Sequence, residues 1–251
     1  MSGHNRWSKI KRQKAAMGAT KGKLFTKIIK EITVAARMGG GDEGGNFRLR
    51  AAVGAAREAN MSREQIDRAI KKGTGELEGA SYEEVTYEGY APGGVAVVVE
   101  CLTDNRNRTA SEVRTAFAKG GGNLGAAGSV SFTFARKGSV QVKKGPTEEQ
   151  VMEAVLAVGA EDVLPLAEDE GGGFEVRTDP AGFHATMVAL EKAGFALGES
   201  KLTYVPRNTV KLDAETAPRV LELIQHLEDN DDVQSVHANF ELDEATLQSL
   251  A

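Results

Sequence analysis

The sequence predicts an α+β protein: an N-terminal three-helix bundle followed by two ferredoxin-like α/β sandwich domains, one inserted in the other. Apolar residues recur at helical spacing from residue 23 to about residue 75 and afterwards alternate between strand-like and helical runs. From residue 139 to 205 the order of these runs is β-α-β-β-α-β, which is the split-βαβ arrangement. The predicted domains are residues 1–77, residues 78–136 with 206–251, and the inserted residues 137–205.

The N-terminal part begins with an arm and continues as three helices. Residues 2–20 have little apolar periodicity and many cations, so we expect an arm that is mobile without a partner. Asn46 is a good N-cap, and Ser62 with Gln65 forms a capping-box pattern. The predicted helices are residues 23–38, 46–59 and 62–73.

The later segments divide into an interrupted domain and an inserted one. A strand at 95–102, a helix at 109–119 and a strand at 129–135 form one β-α-β half of the interrupted domain. The other half is predicted as strand 209–212, helix 214–227 and strand 233–240. In the inserted domain we predict strands 139–142, 162–167, 174–178 and 197–205, with helices 147–158 and 180–193.

The charge is distributed unevenly along the chain. Residues 1–75 contain 17 lysines and arginines against 6 acidic residues, whereas residues 76–251 contain 14 against 30. Nine of the cations precede the first acid, Glu31. Such asymmetry indicates a polyanionic partner, although a merely solvated basic surface is the alternative. The acidic remainder is a candidate to bind a protein partner.

Catalytic and cofactor sites find little support in the sequence. Residues 120–125 match the dinucleotide fingerprint, but they follow a predicted helix and precede a strand, so we interpret them as a helix C-cap and loop. Four scattered histidines and the single cysteine, Cys101, lack metal-ligand or nucleophile spacing. We therefore expect no enzyme activity, cofactor, metal or small-molecule substrate. With no signal peptide or membrane-length apolar run, we expect a cytoplasmic protein without membrane contact.

Beyond the general clustering of cations, two groups of residues are candidates to contact nucleic acid. Thr109 with Glu112 forms a capping-box pattern, which would place Arg106 and Arg108 just before a helix N-terminus that favours anions. The alternative is internal pairing of both arginines with Asp104, Glu100 or Glu112.

The single tryptophan lies among cations of the arm. Trp7 is flanked by Arg6 and Lys9, so it could stack on unpaired bases or dock onto the bundle. The predicted nucleic-acid contacts are His4, Arg6, Trp7, Lys9, Lys11, Arg12, Lys14, Lys21, Lys23, Lys27, Arg106 and Arg108.

Several strings in the chain are long enough to identify a family. They are GHNRWSKIK at residues 3–11, KLFTK at 23–27, TVAAR at 33–37, YEGYAPGGVA at 87–96, ECLTDNRNRT at 100–109 and GGNLG at 121–125. With them the chain resembles the YebC/PmpR family along essentially its whole length. Many members have Ser or Lys in place of Asn5 and Arg6, which keeps the segment polar and basic. Because the motif starts at Gly3, we expect no transit peptide and a bacterial member.

The resemblance implies a helical domain followed by two α+β domains, and it brings no catalytic residues. Members are described as DNA-binding transcriptional regulators, mitochondrial relatives look like translational activators, and bacterial ones have been connected with relieving ribosomes stalled at proline-rich stretches. The target is thus duplex DNA, or ribosomal or transfer RNA. The predicted bundle has no clear recognition helix with base-reading side chains, which favours backbone binding and RNA.

Overall fold

A computed structural model describes residues 20–168, 171–243 and 245–246. The chain forms two compact units, one of Met1–Phe134 with Pro206–Ala251 and one of Ala135–Val205. Helices dominate the N-terminal part and mixed strands and helices the rest, so the predicted α+β class is confirmed.

The first unit begins with three packed helices, α1 (Thr20–Gly39), α2 (Phe47–Glu58) and α3 (Arg63–Thr74). The Asn46 side chain accepts a hydrogen bond from the Leu49 N–H, and Ser62 and Gln65 form both bonds of a capping box. Both predicted caps are confirmed. The fully buried core contains Ile32, Leu49, Val53 and Ala56.

A glycine allows α1 and α3 to approach closely. A Cβ on Gly73 would lie 2.4 Å from the Thr33 carbonyl oxygen and 2.7 Å from the Ala36 Cβ. No larger residue fits without moving a helix backbone, so we expect Gly73→Ala to disturb this packing.

The same unit contains a four-stranded antiparallel sheet with two helices on it. Its elements are β1 (Glu83–Tyr90), β2 (Ala96–Thr103), α4 (Arg106–Lys119), β3 (Asn123–Leu124), β8 (Val210–Leu212), α7 (Thr216–Glu228), β9 (Val233–Ala238) and β10 (Phe240–Leu242). The sheet order is β3-β1-β2-β9. Val97 and Val99 of the sheet share one core with Phe117 of α4 and Leu223 of α7.

Three details of this sheet differ from the prediction. β1 was not predicted, because three glutamates among its eight residues obscure the alternation. Residues 129–133 are not a strand: Ser131–Thr133 is a 3-10 turn, and the strand that starts at Phe134 continues into the second unit. β8 lies outside the four-stranded sheet and pairs in parallel with β10.

Asn239 explains why the predicted strand 233–240 divides into β9 and β10. Its side-chain oxygen accepts the Ala96 N–H at 2.7 Å, and its amide donates to the Asn208 carbonyl at 3.2 Å. The polar side chain therefore bonds to backbone on both sides, and the chain passes from one sheet to the other.

The second unit is a split-βαβ sandwich. Its elements are β4 (Phe134–Val142), α5 (Glu148–Leu156), β5 (Ala160–Pro165), β6 (Phe174–Thr178), α6 (Phe183–Lys192) and β7 (Leu197–Pro206). The sheet order β5-β6-β4-β7 is that of a ferredoxin-like sheet, as predicted. Val140 and Val176, which pair across β4 and β6, are fully buried.

Candidate nucleic-acid interface

The predicted contacts are distributed between the arm and the first unit. His4, Arg6, Trp7, Lys9, Lys11, Arg12 and Lys14 lie outside the described residues. The others can be located: Lys21, Lys23 and Lys27 are on α1, and Arg106 and Arg108 are in the first turn of α4.

Three lysines on one face of α1 bind the C-terminal end of α7. Lys23, Lys27 and Lys30 are spaced by four and three residues, so they share a helix face. Their ammonium groups donate to the carbonyl oxygens of Asp229, Glu228 and Asp231, at 3.0, 2.7 and 2.9 Å. A helix C-terminus carries unsatisfied carbonyls and partial negative charge, which these cations stabilise. Lys23 and Lys27 thus have intramolecular acceptors, and we leave them out of the proposed interface.

Asp232 is the centre of a buried polar network that joins α1 to α4. Its carboxylate, whose side chain is 4% exposed, accepts from Lys30 at 2.5 Å and from Arg108 at 2.7 Å. The Thr109 hydroxyl donates at 2.7 Å and the Thr103 hydroxyl at 3.3 Å. Lys30 is itself only 8% exposed, so the helical bundle is fixed to the sheet by a buried ion pair.

The network keeps Asp232 ionised. Burial acts to raise the pKa of Asp232, but hydrogen bonds from Arg108, Lys30 and Thr109 outweigh it and lower this pKa to about 2. Because the folded pKa lies below the ordinary value of about 3.9, the carboxylate stabilises the fold at neutral pH. That stability is lost as the pH falls from about 4 towards 2.

The N-terminus of α4 differs from its prediction. The N-cap is Asn105, whose side chain accepts the Arg108 N–H at 3.1 Å, so α4 begins at Arg106 rather than at Thr109. The predicted Thr109–Glu112 capping box is wrong, because Thr109 is fully buried and its hydroxyl bonds to Asp232 and Thr103. Asn is as good a cap as Thr, and here it leaves Thr109 available to the network.

The two arginines of this turn have different environments. Arg108 donates to Asp104 at 2.8 Å and to Asp232 at 2.7 Å, and these hydrogen bonds, the one to Asp232 foremost, raise the pKa of Arg108. Internal pairing was one of the two interpretations left open by the sequence. Arg106 is exposed and, within the described part of the chain, forms no ion pair with a carboxylate. Arg106 therefore remains a candidate phosphate contact.

The first turn of α1 carries one more exposed cation of the predicted set. α1 starts at Thr20, and Lys23 in its first turn bonds to Asp229, three residues before Asp232. From Thr20 to Lys30 the helix spans only about 15 Å. Lys21 in this turn is exposed, with its ammonium 5.8 Å from the Phe25 ring centroid. Among the described residues, Lys21 and Arg106 are therefore the remaining candidate phosphate contacts.

The exposed face of α3 carries mixed charge. Arg63, Arg68, Lys71 and Lys72 are exposed, but acids lie between them, and Arg63 is 3.8 Å from Asp67. Base-reading helices present donors to a groove lined by phosphates, and an interleaved carboxylate opposes that approach. α3 is therefore a poor candidate for a recognition helix.

The features that suggested chemistry have structural roles. Cys101 is buried, and burial raises its thiol pKa to about 12. Gly120 is the C-cap of α4, as predicted, but Asn123–Leu124 form β3, so residues 120–125 are a cap and a short turn that lead into a strand. Within residues 20–168, 171–243 and 245–246, no cluster of three His, Cys, Asp or Glu side chains could hold a metal. The described helices include none long and apolar enough to cross a bilayer.

Fold and site define an α+β protein in which a basic helical domain is joined by a buried ion pair to a larger α+β part. The chain belongs to the TACO1/YebC family. The model of the family's N-terminal domain matches residues 5–76, and the model of its second and third domains matches residues 82–240. The resemblance drawn from the sequence strings is confirmed.

Curated relatives match over the full chain. One from Myxococcus xanthus is 59% identical over 250 residues, covering 100% of this chain and 99% of the relative. One from Geobacter sulfurreducens is 55% identical over 250 residues, covering 100% of this chain and 100% of the relative. Both are called probable transcriptional regulatory proteins. A crystal structure of a conserved hypothetical protein from Aquifex aeolicus is 51% identical, has a TM-score of 0.79, and matches over 90% of this chain and 92% of that one.

Proposed function

We propose that the protein is a non-enzymatic, cytoplasmic regulator of gene expression that binds nucleic acid through its basic arm. The supporting observation is the charge asymmetry, with 17 cations against 6 acids in residues 1–75 and 14 against 30 in the remainder. Phosphate binding by clustered lysines and arginines releases counterions and gives sequence-independent affinity. The names of the relatives favour a role in transcription.

In the proposed complex the arm follows the phosphate backbone while Lys21 and Arg106 contact it at the surface of the first unit. Arg106 lies in the first turn of α4, where the helix dipole and free N–H groups favour an anion. Residues 76–251 carry more acids than cations, so their acidic surfaces, away from Arg106, are available to a protein partner.

A second candidate function is a ribosome-associated translation factor that holds ribosomal or transfer RNA with the same arm. The mixed charge of α3 favours it, because sequence-specific DNA regulators generally present a base-reading element and this bundle does not. Both functions predict that the arm contacts the phosphate backbone. They differ in which ligand the protein binds more tightly, duplex DNA or structured RNA.

Ultraviolet crosslinking of the full chain, followed by peptide mapping, tests the proposed interface. We expect crosslinks in the arm and in the first turn of α4, with either a DNA duplex or a structured RNA as the labelled ligand. Competition by the other ligand identifies the preferred one. Crosslinks restricted to the second unit, Ala135–Val205, would contradict the proposal.

Alanine substitutions of the two arginines should separate binding from stability. Arg106→Ala should leave the Tm unchanged, because this side chain is exposed, and should reduce the salt dependence of binding by about one unit of log-log slope. Arg108→Ala should destabilise the fold by about 1–3 kcal/mol, because Asp232 loses a charged hydrogen-bond donor. Thermal melts and anisotropy titrations measure both quantities, and the opposite pattern would assign phosphate binding to Arg108.

A further inference from the structure

The segment between β3 and β4, residues 125–133, presents an aromatic side chain to solvent. Phe132 is 69% exposed, and it lies in the 3-10 turn Ser131–Thr133. Burial of a phenylalanine is normally a major source of stability. Single exposed apolar side chains are common on protein surfaces, so the exposure of Phe132 indicates a partner only together with the fixed conformation of its loop and the cation beside it. We call residues 125–133 the Phe132 loop.

A buried carboxylate holds this loop in place. Glu88 of β1 is 7% exposed, and its oxygens accept the backbone N–H groups of Gly128, Val130 and Ser131, each at 2.8 Å. Burial acts to raise the pKa of Glu88, but these hydrogen bonds outweigh it and lower this pKa. The bonds are therefore charge-assisted at neutral pH, and they fix the turn from which Phe132 projects.

Further contacts anchor both sides of Phe132. The Tyr90 hydroxyl donates to the Ser129 carbonyl at 2.9 Å, and Val130 is fully buried. The Arg207 N–H donates to the Thr133 carbonyl at 2.8 Å. The loop is thus organised before any partner binds, which lowers the entropic cost of binding.

The stretch of sequence that contains Phe132 has no acid, although the part of the protein after residue 75 is acidic: residues 113–147 include six lysines and arginines. Two of these, Lys137 and Lys144, pair with acids of the second unit, and the cation that the fold places beside Phe132 is Arg207. Arg207, whose side chain is exposed, bonds through its Nε to the Phe134 carbonyl at 3.2 Å, two residues from the exposed ring. An aromatic ring beside a cation suits a nucleic-acid strand, in which bases alternate with phosphates. An apolar protein partner would not require the cations.

We infer that the Phe132 loop binds a single-stranded segment of nucleic acid, with Phe132 stacked on an unpaired base and Arg207 on an adjacent phosphate. This inference rests on the proposed function and adds that the target contains unpaired bases. Bases inside a duplex are stacked on both faces, so Phe132 could not stack on them without disrupting the helix.

Fluorescence anisotropy with the full chain tests the inference. The probes are a labelled 20-nucleotide single strand and a duplex of the same sequence, each at fixed salt. Phe132→Ala should weaken single-strand binding by about fivefold to a hundredfold and leave duplex binding unchanged. Phe132→Trp should retain single-strand binding. Leu156→Ala is the matched control, because Leu156 is 75% exposed on α5 of the second unit and should have no effect.

Each outcome decides the inference. Single-strand binding by Phe132→Ala at the wild-type level would overturn it, and so would equal losses on both probes. In either case the proposed function would survive if neutralising the arm still weakened binding. Failure of the wild-type protein to bind the single strand would overturn the inference alone, and failure to bind the single strand, the duplex and a structured RNA would overturn both proposals. Glu88→Gln should also weaken single-strand binding although Phe132 is present, because the loop would lose its carboxylate anchor.

Discussion

Asp232→Ala is expected to destabilise the protein by about 3–5 kcal/mol. Lys30, at 8% exposure, would remain buried without its carboxylate, and Arg108, Thr103 and Thr109 would each lose an acceptor. The loss is larger than that of a surface pair because the desolvation cost of Lys30 is no longer offset. Urea denaturation followed by circular dichroism measures the change.

Asp229→Ala is the matched control for this prediction. Asp229 is three residues away, 51% exposed, and its carboxylate is 3.7 Å from Lys23, so its removal should cost about 0–1 kcal/mol. The difference between the Asp232 variant and the wild type should be constant above about pH 4 and shrink as the pH falls towards 2, the pKa of Asp232. Equal stability of the two variants would show that the buried pair does not hold the bundle to the sheet.

The same network affects how the arm should be tested. Deleting residues 1–75 would remove Lys30 and leave Asp232 buried beside Arg108 alone. Loss of binding by such a truncation could then result from disturbed structure. Point substitutions in the intact chain avoid this problem.

Elements with local signals were predictable from the sequence. Asn46 and Ser62 identified the starts of α2 and α3 because their side chains bond to backbone only three residues ahead. The strand and helix order of the second unit followed from apolar runs separated by turns, and its sheet has the expected order. These features depend on neighbours in the chain, which a single sequence displays.

Contacts between distant residues were not predictable in the same way. Lys23 and Lys27 looked like part of a cationic surface, but their acceptors lie more than 200 residues further along the chain. Asp232 was not among the acids considered for Arg108, since nothing local links residue 232 to the turn before α4. The sequence located the basic region, and only the fold separates cations with internal partners from those that are exposed.

Neutralising the arm should have the largest effect on binding. The substitutions Lys9→Gln, Lys11→Gln, Arg12→Gln and Lys14→Gln in the full chain remove four of the cations that precede the first acid. We expect affinity for duplex DNA or structured RNA to fall at least about tenfold at 0.1 M salt, because each lost phosphate contact abolishes the release of about one counterion. The fold should be unaffected, since the network around Asp232 is intact.

The salt dependence of binding tests the central claim most directly. The control variant carries Arg63→Gln, Arg68→Gln, Lys71→Gln and Lys72→Gln on α3, which changes the net charge by the same amount at exposed positions. The log-log slope of affinity against salt should flatten by about three to four units in the arm variant and much less in the control. An unchanged slope in the arm variant, or equal flattening in both variants, would contradict the claim that the arm is the phosphate contact.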